Sequence, residues 1–68
     1  MRATREKILK YIDGCSLGYA SVYSMERFFN GSYEGELGEL LKELQLDRQI
    51  VPYMGHFMLT LKGRRAAK

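Results

Sequence analysis

The chain has 68 residues, 46% of them hydrophobic and 28% charged, and a formal net charge of +3, the composition of one small folded domain rather than a disordered tail. That length excludes a second hydrophobic core, and no apolar run approaches the roughly 18 residues of a membrane-spanning helix. The first residues lack the apolar segment of a signal peptide and the single cysteine, Cys15, closes no intrachain disulfide, so a cytoplasmic, reducing setting is expected.

Thr4 is placed to cap a first helix in which Ile8, Leu9 and Ile12 share one face and Gly14 is the stop. Residues 15–20 read as a loop with a short extended piece around Leu17 and Tyr19. From Ser21 the spacing of Val22, Met25, Phe28 and Phe29 predicts a short second helix, ended by Asn30-Gly31. Ser32 then caps a third helix over residues 33–46, with Glu34 and Glu36 in a first turn that favours negative charge. Leu37, Leu40, Leu41 and Leu44 fall on one side of it, and Gly35, Gly38, Glu39 and Lys42 on the other. After the polar turn Asp47-Arg48-Gln49, the runs Ile50 to Tyr53 and Phe57 to Thr60 flank Met54-Gly55-His56 as a β-hairpin. Pro52 cannot donate to a ladder, so its strand belongs at the sheet edge, leaving the Phe57 strand free to pair with the piece near Tyr19. Thr60 caps a final turn over residues 61–66 that Gly63 weakens, and the last residues are expected to fray.

The charge is unevenly distributed. Residues 1–10 hold Arg2, Arg5, Lys7 and Lys10 against Glu6, for +3, and residues 61–68 hold Lys62, Arg64, Arg65 and Lys68, for +4. Residues 33–47 hold Glu34, Glu36, Glu39, Glu43 and Asp47 against Lys42, for −4. A strongly dipolar molecule is expected, with basic ends and an acidic middle.

Three helices followed by a hairpin, with the spacing Leu37-x-x-Leu40-Leu41-x-x-Leu44, then Ile50, then Phe57-Met58-Leu59-Thr60-Leu61-Lys62-Gly63-Arg64, resemble the winged helix-turn-helix superfamily. The likeness is to small transcription regulators, whose second wing strand often ends Tyr-x-Leu-Thr-x-Lys-Gly-Arg. It is clear over residues 32–64, about half the chain. It implies an α+β fold: a single winged-helix domain over residues 1–68, with three helices, a C-terminal hairpin wing and a short third strand near Tyr19. It also implies that residues 33–46 form the recognition helix, with Tyr33, Gly35, Glu36, Glu39 and Lys42 nearest the major groove and Met54, Gly55 and His56 at the wing tip. The chain departs from the pattern in its charge. Duplex DNA is held through phosphates by Lys and Arg, yet this helix offers one lysine among several glutamates, and the wing carries no Lys or Arg.

Two functional expectations follow. The leading one is a regulator that binds duplex DNA, with Ser32, Tyr33, Gly35, Glu39 and Lys42 on the base side and Arg2, Arg5, Lys7, Arg64 and Arg65 on phosphates. The rival is a protein-contact module, a homodimer or a partner binder, using Gly35, Gly38, Glu36, Glu39 and Glu43. Each glycine costs roughly 0.5–1 kcal/mol relative to alanine inside a helix, which points to close approach of a sugar-phosphate backbone or another helix, or to a weakly specified first turn. No catalytic residues, metal, cofactor, membrane contact or small-molecule substrate are expected. Ser24 and Ser32 lack a base, Cys15 lacks an activating histidine and reads as buried filler, and His56 reads as a polar turn residue. Tyr11, Tyr23, Tyr33 and Tyr53 read as half-buried packing residues.

Overall fold

A computed structural model describes residues 2–31 and 35–68. The elements run α1 (Arg5–Asp13), β1 (Tyr19–Ser21), α2 (Val22–Phe28), α3 (Glu36–Leu46), β2 (Ile50–Tyr53), β3 (His56–Leu59) and α4 (Leu61–Ala67). This is an α+β domain whose three strands form one antiparallel sheet in the order β1-β3-β2.

Local chemistry sets most boundaries. The Thr4 side chain accepts from the Lys7 amide at the start of α1, and Gly14 closes its end. Ser21 ends β1 and caps α2 at once, its hydroxyl accepting from the Ser24 amide. The expected pairing holds: Tyr19 faces Met58 and Ala20 faces Phe57, while Pro52 lies in the edge strand β2. The hairpin turn is shorter than expected. Met54 and Gly55 form it alone, both with positive φ (48° and 82°), as a two-residue turn matched to strand twist requires. His56 is therefore the first residue of β3, opposite Tyr53, and not part of the tip.

The core gathers Ile8, Leu9 and Ile12 of α1, Met25 and Phe29 from the second helical segment, Leu37, Leu41 and Leu44 of α3, and Ala20, Ile50 and Leu59 of the sheet. Leu40 packs against this cluster at its margin. Phe28 does not join the buried set and remains 45% exposed.

The C-terminal segment departs from the expectation of fraying. α4 packs on α1, and Ala67 is buried. Gly63 is what permits this, because a Cβ there would overlap the Gln49 carbonyl. Thr60 joins the two sides: its amide donates to Gln49 O, its hydroxyl donates to Arg48 O, and the Gly63 amide donates to that same hydroxyl. The string Leu-Thr-x-Lys-Gly is thus a structural clasp between the turn after α3 and the start of α4.

Candidate nucleic-acid interface

α3 begins at Glu36, later than the expected residue 33. Gly35 precedes it as the N-cap with φ of 85°, a left-handed conformation that glycine adopts without strain. Gly35 therefore lies outside the helix, and its conformation, not close approach, accounts for its being glycine. Gly38 is different: it sits in the helix with open space around it. Ser32, Tyr33 and Glu34, and with them the expected Ser32 cap and the base-side roles of Ser32 and Tyr33, lie outside the described residues.

The acidic face is largely engaged by the chain's own cations. Glu36, expected to point outward, is buried at 7% exposure. Its carboxylate accepts from Arg2 Nη2 at 3.1 Å and from Arg2 Nε at 3.3 Å. At the other end of α3, Arg5 reaches Asp47 at 3.0 Å and Glu43 at 3.9 Å, and Lys62 reaches Asp47 at 3.0 Å. Gln49 accepts a further bond from Arg5. The Lys62 ammonium, by hydrogen bond and charge, and then Arg5 hold the Asp47 carboxyl below its ordinary value. The dipolar distribution of the sequence is thus folded against itself: residues from both basic ends meet the acidic middle. Arg2 and Arg5, expected on phosphates, are held by carboxylates of the same chain.

What α3 presents outward is narrower than expected. Helical spacing sets Gly38, Lys42 and Leu46 in one row, four residues apart, with Glu39 and Glu43 along its side. All five are exposed, Leu46 at 76%. Among the described residues, Lys7, Lys42, Arg64 and Arg65 form no ion pair, and Arg48 lies exposed just beyond the helix with φ of 58°.

A second surface was not anticipated. Strand alternation places Tyr19, Val51, Tyr53, His56 and Met58 on the sheet face opposite Ala20, Ile50, Phe57 and Leu59. This outer face holds no Asp, Glu, Lys or Arg. His56 stacks on Tyr19 at 4.9 Å, and Tyr53 lies 5.7 Å from Tyr19. His56 Nδ1 is buried there without a hydrogen-bond partner among the described residues. Val51, Tyr53 and the turn residue Met54 are exposed. Of the tyrosines expected to be half-buried, Tyr11 is so, whereas Tyr23 and Tyr53 are 67% and 45% exposed.

Cys15 is partly buried, its thiol donating to the Tyr11 carbonyl at 3.3 Å, and desolvation raises its pKa. That makes it a poor nucleophile. Among the described residues no group of three or more His, Cys, Asp or Glu side chains could hold a metal ion, and no helix is long and apolar enough to cross a membrane. The chain matches no protein-family model, no curated protein and no solved structure.

Proposed function

We propose that the chain is a winged-helix domain that binds duplex DNA as a regulatory factor, with α3 entering the major groove. The element order through β3 and the sheet order β1-β3-β2 support the winged-helix reading. The observation that carries the DNA reading is the pairing of Glu36 and Glu43 of α3, and of Asp47 just after it, with Arg2, Arg5 and Lys62. A polyanion repels uncompensated glutamates, and this pairing lowers that barrier before DNA arrives. The row Gly38, Lys42 and Leu46 then meets the groove, Gly38 removing bulk and Lys42 supplying charge, with Glu39 beside them as an acceptor for cytosine N4. Lys7, Arg64 and Arg65 are the phosphate contacts that remain from the sequence set, joined by Arg48.

Fluorescence anisotropy with labelled duplex DNA tests this. Affinity falls by roughly 0.9 log units per log unit of salt for each phosphate neutralised, and Arg64→Ala, which removes one phosphate contact, lowers that slope by about 1. No binding of duplex by micromolar protein at low salt, or a flat salt response, contradicts the proposal.

A second reading, a module for contact with a protein partner or a second copy, is favoured by the outer sheet face with exposed Val51, Tyr53 and Met54. The acidic version of that interface loses Glu36, which is buried, and rests on Glu39 and Glu43. Replacing both by lysine strengthens nonspecific DNA binding under the first reading and abolishes a protein contact made through α3, while a contact made by the outer sheet face is unaffected.

A further inference from the structure

Tyr11 of α1 and Phe28 of α2 form the floor of an opening of about 260 Å³, rimmed among the described residues by Lys7 and Lys10. The two rings lie 4.7 Å apart, and Phe29, itself 2% exposed, backs them at 5.7 Å from Tyr11 and 4.9 Å from Phe28. The floor is therefore a supported aromatic surface. Phe28 leaves 45% of its area in water, so the aromatic surface is open to a partner. Among the described residues Lys7 and Lys10 form no ion pair. By the helical period Glu6 and Asp13, the acids of α1, lie away from Lys7 and Tyr11 but flank Lys10, four residues before it and three after it.

We propose that this groove docks an acidic segment of a partner protein, which seats one large apolar side chain on Tyr11 and Phe28 and sets carboxylates against Lys7 and Lys10. Size and charge both argue for that occupant. The volume falls below the roughly 300–1,000 Å³ of small-molecule sites and suits a single anchoring side chain. Among the described residues the charged side chains that line the opening are Lys7 and Lys10, and Lys7 is turned clear of the acids of α1, so the complementary surface is acidic. Duplex DNA satisfies the lysines but leaves the aromatic floor wet, whereas an apolar side chain flanked by carboxylates satisfies both. The surface shares Lys7 with the proposed phosphate contacts but no residue of the α3 row, so Phe28→Ala and the peptide without phenylalanine are what test it separately from DNA binding.

The probe is a fluorescein-labelled, alanine-based helical peptide carrying one phenylalanine with glutamates one turn to either side. It is titrated with the full chain and compared with two controls, one with the phenylalanine replaced by alanine and one with the glutamates replaced by glutamine. The parent peptide binds about tenfold tighter than either control. Lys7→Gln with Lys10→Gln weakens it about tenfold, since each exposed ion pair is worth a factor of up to about five, and both side chains are exposed, so the fold is unaffected. Phe28→Ala weakens it by a similar factor, with circular dichroism confirming an unchanged fold. Equal binding of the three peptides, or indifference to the lysine substitutions, overturns the proposal. Loss of duplex binding in the lysine variant without any effect on the peptide assigns the lysines to phosphates and overturns it as well.

Discussion

Glu36 and Gly38 lie two residues apart in α3 and illustrate opposite outcomes. Glu36 turns inward and is held by Arg2, 34 positions earlier in the chain. Helical periodicity assigns a residue to a face, but it carries no information about a partner that distant, so this pair was invisible in the sequence. Gly38 does lie where the periodicity puts it, exposed and with ordinary helical geometry. Alanine at Gly38 should stabilise the domain by about 0.5–1 kcal/mol in urea unfolding, because the helix loses a flexible residue and nothing obstructs the methyl group. If α3 lies against DNA, the same variant binds duplex more weakly, and a gain in stability with no loss of binding removes Gly38 from the interface. Asp47 supplies a pH test. Its carboxyl is held below the ordinary value of 3.8 by Lys62 and then Arg5, and a depressed carboxylate stabilises the fold above its unfolded pKa. That contribution disappears as pH falls through the folded value. Asp47→Asn should therefore be less stable than the parent at neutral pH and converge with it in urea unfolding as pH falls through the folded value; a difference that stays constant as the carboxyl is protonated denies the pairing.

At the scale of elements, apolar spacing and caps carried most of the information. Thr4, Ser21 and Thr60 cap as their chemistry suggests, and Pro52 marked the edge strand correctly. Three features were hidden because they depend on backbone conformation or packing across the fold. One is the start of α3, which waits for the left-handed Gly35. Another is α4, where Gly63 reads as a helix breaker but is required for contact with Gln49. The third is the hairpin turn, which draws His56 into the ladder. Met54 occupies the left-handed region there, at φ of 48° and 82% exposure. Asparagine tolerates that conformation far better, so Met54→Asn should raise stability by about 1 kcal/mol in urea unfolding. An unchanged or lower midpoint means that the Met54 side chain packs usefully despite its exposure.

Over the whole molecule, the block pattern of charge is the feature most changed by folding. The sequence separates basic ends from an acidic centre, and the fold brings Arg2, Arg5 and Lys62 onto Glu36, Glu43 and Asp47. The blocks were legible beforehand, but their pairing was not, because it requires α1 and α4 to pack together beside the end of α3. The consequence is that α3 turns outward a short row of Gly38, Lys42 and Leu46 with Glu39 and Glu43 at its side, while Glu36 is drawn inward. The most direct measurement is a ¹⁵N-resolved NMR titration of the domain with duplex DNA at low salt. The account predicts amide shifts concentrated at Gly38, Glu39, Lys42 and Leu46, which weaken as salt is added. Shifts confined to Tyr19, Val51, Tyr53 and Met58 on the outer sheet face, or no shifts at all, would contradict it.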